Sequence, residues 1–129
     1  MKKMNEVYKD DSWGWSDYQP MIDSFGYVQV QVDDNDYQGD TRVLLEKEGK
    51  YGHLLFGWGS CSGCDSLQAC GNIDDVQQLA DELYDSIKWF EGKSDCLDYF
   101  KNHDWEGDYC WHQKETKEYI DGVIEFLSN

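Results

Sequence analysis

The residues in this chain best suited to chemistry are its cysteines, three of which lie within ten positions of one another. The five are Cys61, Cys64, Cys70, Cys96 and Cys110. Cys61 and Cys64 have a C-x2-C spacing on a glycine-rich segment, which lets two thiolates face one zinc ion. The odd number of cysteines and an N-terminus without the apolar stretch of a secretory signal favour reduced cytosolic thiols over a disulfide framework. The cluster therefore indicates a metal or redox site.

A closed structural zinc site needs four ligands. Cys70 is near enough to be the third if residues 65–69 form one helical turn. The predicted set is Cys61, Cys64, Cys70 and Cys110. The alternatives to the fourth ligand are His53, His112 and Cys96. We predict a structural Zn²⁺ that joins the cysteine segment to the C-terminal part of the chain and supplies stability rather than catalysis.

Two other interpretations of the cysteines stay open. They are either inert thiols in a packed loop, since free cysteine is often buried, or a redox pair at Cys61 and Cys64. No βαβ pattern surrounds the pair, and no proline follows it to supply a cis-proline beside a disulfide. A catalytic zinc is not indicated because the sequence has no His-Glu-x-x-His or His-x-Glu pair, and no spacing selects a Cys–His nucleophile. We expect that the protein is not an enzyme.

The net charge of −16 comes from 27 Asp and Glu against 11 Lys and Arg. This balance excludes nucleic-acid binding by phosphate neutralisation and docking on anionic lipid, because both need basic patches. Aromatic residues make up 16% of the chain, which argues against an acidic disordered segment. No apolar run approaches the roughly 20 residues that span a bilayer. We expect an acidic folded protein with neither a membrane nor a nucleic acid as its direct partner.

Acidic residues recur on the outer faces of the predicted helices. The residues that we predict to bind a partner are Asp81, Asp85, Glu118, Asp121 and Glu125. The last three follow one stripe at three- and four-residue steps, and like charges so placed repel one another. The total charge exceeds the roughly 2–8 units usual for a small soluble domain. An acidic surface of this kind can occupy a basic channel made for DNA, whereas the plain alternative is solubility alone.

The elements that must position these residues form an α+β domain. The single domain divides into an irregular N-terminal arm (1–26), a β-meander (27–58), the cysteine loop (59–71) and a helical part (72–128). Strict alternation predicts a strand at Tyr27–Val32. Thr41–Lys47 and Lys50–Trp58 are two further predicted strands, joined by a tight turn at Glu48-Gly49. These strands form a three-stranded antiparallel sheet.

The period changes to three and four residues after the cysteine loop. Apolar positions from Val76 to Phe90 predict one helix, capped by Asn72 or Asp74 and ended by Gly92. A short helix capped by Ser94 and a last helix from Gln113 to Leu127 follow. Because strands come first and helices later, we expect two or three helices to cover one face of the sheet.

The segment Gly57-Trp58-Gly59-Ser60-Cys61-Ser62-Gly63-Cys64-Asp65 resembles a G-x-G-S-C-S-G-C-D signature of small phage and prophage proteins. Segments 84–90 and 103–106 are similar to parts of the same group, and the resemblance covers residues 37–128. Some small acidic proteins of this origin are anti-CRISPR inhibitors of Cas9, and this chain looks like a metal-containing member of that class. The resemblance implies that Cas9 or its guide-RNA complex, in the host cytoplasm, is the partner. It transfers no catalytic residue, and only the cysteine cluster carries over by position.

Charge and resemblance together predict a phage-encoded inhibitor that binds a basic nucleic-acid-handling host protein, first of all Cas9, and prevents engagement of target DNA by DNA mimicry. The alternatives are a small cytosolic thiol or redox protein that uses Cys61 and Cys64, and a phage accessory protein of purely structural role.

Overall fold

The structure, a computed structural model, describes residues 3–8, 17–34, 39–59, 65–105 and 113–129. In this part the chain forms four strands and five helices. The strands are β1 (Tyr27–Asp33), β2 (Gly39–Lys47), β3 (Lys50–Trp58) and β4 (Lys88–Phe90). The helices are α1 (Met4–Val7), α2 (Gln19–Phe25), α3 (Ile73–Ser86), α4 (Lys93–Asn102) and α5 (Gln113–Ser128). The strands make one antiparallel sheet in the order β1-β2-β3-β4, so the α+β class is confirmed.

The prediction that the helices cover one face of the sheet is wrong, because both faces are covered. Val43 and Leu45 of β2 belong to a cluster with residues of α1, α2 and α3, the α1–α3 layer. Leu44, between them, belongs to a second cluster with residues of α4 and α5, the α4–α5 layer. All five residues from Thr41 to Leu45 are buried. A central strand that is apolar on both sides needs a cover on each face.

The sheet has a fourth strand that the helical pattern hid. The first predicted helix ends at Ser86 instead of continuing past Phe90, and the Ile87 N–H bonds to the Tyr84 carbonyl at 3.2 Å. β4 then pairs with β3, and the Trp89 ring lies against Gly52, where a Cβ would approach it to 2.8 Å. Isoleucine and aromatic residues favour strands, which is the physical reason for the change.

The N-terminal arm is also more regular than predicted, because it contains α1 and α2. Pro20 lies in the first turn of α2, where its missing N–H costs nothing. Met21, Ile22 and Phe25 follow at helical spacing and are buried. Both helices are too short to show a clear period in the sequence.

Several local predictions are confirmed. Glu48 and Gly49 form the hairpin turn with φ values of 54° and 81°. The Asn72 side chain caps α3 by accepting the Asp75 N–H at 2.9 Å. α4, however, begins after Gly92 rather than at Ser94.

In the described ranges, no helix has the length and apolar character needed to cross a membrane.

Candidate functional site

Most of the predicted zinc ligands lie outside the described residues. These are Cys61, Cys64 and Cys110, together with the alternative ligand His112. Within the ranges that the structure describes, no three His, Cys, Asp or Glu side chains are grouped as a metal site requires. The four-cysteine zinc site therefore stays a prediction, and Cys70 is the one member of the set whose surroundings are defined.

Cys70 lies half-buried at the end of the turn that the zinc prediction required. The Ala69 N–H donates to the Asp65 carbonyl at 3.0 Å, so residues 65–69 do form one helical turn. The Cys70 Sγ contacts the Ser66 carbonyl at 3.3 Å. Burial, with the nearby Asp75 and Asp65 carboxylates, raises the pKa of the Cys70 thiol. In the absence of a metal this thiol is a weak nucleophile, because the thiolate is the reactive form.

Two alternative ligands are separated from Cys70 by the sheet. Cys96 is fully buried in the α4–α5 layer, where burial raises the pKa of its thiol to about 12. His53 contacts Tyr119 of the same layer. Cys70 packs against the α1–α3 layer. Cys96 and His53 therefore lie on the opposite face of the sheet from Cys70.

His53 instead lies in an aromatic cluster. Its Nδ1 is hydrogen-bonded to the Tyr119 hydroxyl at 2.8 Å, and the two rings are stacked. The edges of Phe100 and Trp105 meet the imidazole at centroid distances of 5.2 and 5.6 Å. This arrangement accounts for a buried histidine as a packing residue. These three aromatic partners are 47 or more positions away in the sequence, so no local spacing could have identified them.

Asp65 holds together the two ends of the cysteine loop, Gly59 and residues 65–68, which we call the stem. The sequence did not predict this role. Its Oδ1 accepts the Gly59 N–H at 3.0 Å and the Tyr18 hydroxyl at 3.1 Å. Its Oδ2 accepts the Gln68 N–H at 2.9 Å. The carboxylate thus ties together the two ends of the segment that carries Cys61 and Cys64 and attaches them to the start of α2. These hydrogen bonds to a carboxylate are charge-assisted and therefore stronger than neutral ones.

A buried ion pair links Asp34, the residue after β1, to Arg42 of β2. The Arg42 Nη1 lies 2.8 Å from the Asp34 Oδ1, and both side chains are fully buried. The Arg42 Nε also donates to the Thr116 hydroxyl at 3.2 Å. This hydrogen bond was not predicted, because Thr116 is 74 positions from Arg42. Through the bond to Thr116, Arg42 connects the sheet to α5.

An acidic cleft of about 310 Å³ opens beside the stem. The carboxylates that line it are Asp17, Asp33, Asp34 and Asp65. Asp34 and Asp65 are engaged by Arg42 and by the stem donors. The cleft therefore adds Asp17 and Asp33 to the acidic surface.

The five predicted partner-binding residues do not form one surface. All five side chains are exposed. Asp81 and Asp85 lie on α3, whereas Glu118, Asp121 and Glu125 lie on α5, on the opposite face of the sheet. A flat partner surface can contact one group at a time.

The two groups differ in their local charge. α3 carries five acids and no base, whereas α5 carries four acids and two lysines. In the described part of the chain, ion pairs join Arg42 to Asp34 and Lys50 to Glu91, and none involves a carboxylate of α3. Asp81 and Glu82 accept hydrogen bonds from Gln77 and Gln78, which keep their charges in place without neutralising them.

The comparisons with known proteins add no relative to this picture. No protein family, no curated protein and no solved structure matches the chain.

Proposed function

We propose that this protein binds a basic surface of a nucleic-acid-handling protein through α3 and keeps nucleic acid from that surface. The observation that carries the proposal is the charge of α3, with five carboxylates, no basic residue and no ion pair to the rest of the described chain. Repulsion among uncompensated charges costs stability, and a basic partner would relieve it.

The spacing of these charges supports nucleic-acid mimicry. A helix of 14 residues is about 21 Å long, so α3 presents about one negative charge per 4 Å. One strand of DNA carries one charge per roughly 3.4 Å. A channel lined by Lys and Arg for a phosphate backbone would therefore meet a similar density along α3.

The identity of the partner follows from the resemblance of the cysteine-loop signature. We propose Cas9 or its guide-RNA complex, bound in the host cytoplasm by a phage-encoded inhibitor that prevents engagement of target DNA. Zinc held by Cys61, Cys64, Cys70 and Cys110 would stabilise the loop beside α3 without contacting the partner. The protein acts by binding and not by catalysis.

Two triple variants with the same total charge test whether α3 is the binding surface. The first is Asp81→Lys, Glu82→Lys, Asp85→Lys on α3, and its matched control is Glu118→Lys, Asp121→Lys, Glu125→Lys on α5. Each raises the net charge from −16 to −10. In a pull-down with Cas9 ribonucleoprotein and a DNA-binding competition, the α3 variant should lose inhibition while the α5 variant keeps most of it.

Equal losses in the two variants would show that net charge, and not α3, drives binding. Wild-type binding that persists undiminished in molar salt would contradict the electrostatic mechanism, because screening weakens exposed charge contacts. Elemental analysis tests the metal separately, with an expected zinc-to-chain ratio of about one. A metal-free protein would favour the thiol or redox alternative instead.

A further inference from the structure

The sheet has two edges, and they differ in how well they are protected. β4 is an edge of three residues that includes Lys88, and short, lysine-bearing edges resist pairing with other strands. β1 is an edge of seven residues, Tyr-Val-Gln-Val-Gln-Val-Asp, with no lysine and no proline. Its one protective irregularity is a shift of register between Val28 and Val30. Among the described residues, the β1 edge is therefore the one left open to pairing.

The outward backbone groups of β1 can be assigned from its pairing with β2. The Asp34 N–H donates to the Asp40 carbonyl at 3.0 Å, in register with the pairs that precede it. The backbone N–H and C=O groups of successive residues point alternately to one side and the other of an antiparallel strand. The backbone groups of Val32 therefore also point towards β2, and those of Gln31 and Asp33 point away from the sheet. Within the described ranges, no backbone hydrogen bond reaches β1 from outside the sheet.

The exposure of β1 agrees with this assignment. Every position from Val28 to Val32 is half-buried, whereas β2 is buried over five consecutive residues. The Tyr27 side chain, at the start of the strand, is 77% exposed. An added strand would cover the valine side chains as well as the free backbone groups.

The charge beside this edge selects the occupant. α5 lies over β1, and a Cβ on Gly122 would be 3.4 Å from Val30. Glu118 and Glu125 lie about one turn before and after Gly122 on nearly the same side of α5, and both are exposed. Asp33 adds a carboxylate at the C-terminal end of β1. A second copy of this chain would bring another set of these acids to the same edge, and each copy already carries −16.

We infer that β1 is a strand-addition site for an extended basic segment of another protein, with backbone hydrogen bonds at Gln31 and Asp33 and with Lys or Arg side chains directed to the acids of α5. Main-chain pairing supplies the affinity in this binding mode, and side chains supply the preference. The site lies apart from α3, so it does not depend on the proposed function.

Two substitutions at one position isolate the backbone contribution. Gln31→Pro removes the outward N–H without breaking a bond to β2, whereas Gln31→Ala removes the same side chain and keeps the N–H. The probe is a synthetic peptide that alternates Lys with Thr and is long enough to span β1. By fluorescence anisotropy, we expect Gln31→Pro to bind it about tenfold more weakly than Gln31→Ala does. Amide exchange at Gln31 and Asp33 should slow when the peptide binds.

A second probe makes the test independent of the variants' folding. The same peptide with N-methyl groups on alternate residues has the same charge but cannot form the ladder, and it should bind far more weakly. Equal binding of the two peptides, or protection confined to α3, would overturn the inference. Self-association of the protein through β1 would also overturn it, because the occupant would then be a second copy. Charge reversal on α3 should leave the preference for the unmethylated peptide unchanged.

Discussion

The helices of the α1–α3 layer carry seven acids and no base, whereas those of the α4–α5 layer carry six acids and four lysines. The interiors differ as well. Beneath α4 and α5 lies an aromatic cluster with His53 at its centre, and beneath α3 lie mostly aliphatic residues and the stem of the cysteine loop. One layer therefore carries the uncompensated charge, while the other carries most of the ring packing.

The largest expected effect is on the aromatic cluster. Phe100 is 1% exposed, and its ring contacts His53, Trp105 and Tyr119. Phe100→Ala should lower the free energy of unfolding by about 3–5 kcal/mol, measured by urea denaturation. Leu55→Ala, at an exposed position of β3, is the control and should change it by less than about 0.5 kcal/mol. Similar losses of unfolding free energy in both variants would contradict the conclusion that ring packing holds the α4–α5 layer.

The second prediction concerns the buried Asp34–Arg42 ion pair, whose arginine also bonds to Thr116 of α5. Asp34→Ala leaves the Arg42 charge buried without its carboxylate, which should cost about 3 kcal/mol of unfolding free energy. The double variant Asp34→Ala, Arg42→Met removes both charges and should recover part of this loss. If the double variant is as unstable as the sum of the single variants, the two charges are not coupled.

The pH dependence of stability distinguishes the buried Cys96 from exposed thiols. Burial raises the pKa of Cys96 from 9.0 to about 12, so the folded protein keeps the thiol protonated where the unfolded chain ionises it. Its contribution to stability is therefore complete below pH 9 and is lost as the pH rises towards 12, by at most about 1.4 kcal/mol per pH unit. Between pH 9 and 12, the free energy of unfolding measured by urea denaturation should fall less steeply with pH for Cys96→Ala than for the wild type.

The smallest expected effect concerns one hydroxyl. Tyr119→Phe removes the hydrogen bond to His53 Nδ1 and should cost about 1 kcal/mol. Tyr27→Phe, at an exposed tyrosine, is the matched control and should leave the unfolding midpoint unchanged. A neutral result for Tyr119→Phe would mean that this hydrogen bond does not stabilise the fold.

The sequence predicted the meander well, because its evidence is local. Alternation in β1 and the glycine at the hairpin act within a few residues, as does the Asn72 cap of α3. It missed β4, because Ile87 and Phe90 continue the helical spacing of α3 while their strand character depends on pairing with β3. The short helices of the arm were missed for a related reason. They are stabilised by packing and are too short to show a clear period in the sequence.

The sequence predicted which acidic residues are exposed, but not which of them lie on the same surface. The acids of α3 and α5 are equally visible in the chain, yet they lie on opposite faces of the sheet. The Asp65 stem and the hydrogen bond from Arg42 to Thr116 were missed because each joins segments that are far apart in the sequence.

By itself, the sequence determined the excess of acids, the strand alternation, the helical periods and the spacing of the cysteines, all of which are properties of near neighbours. The tertiary structure decided which helix covers which face, which acids share a surface, and which edge of the sheet is left open. The physical reason is that burial on both faces of β2 divides the helices between two layers, and no local pattern in a helix records the face on which it will pack.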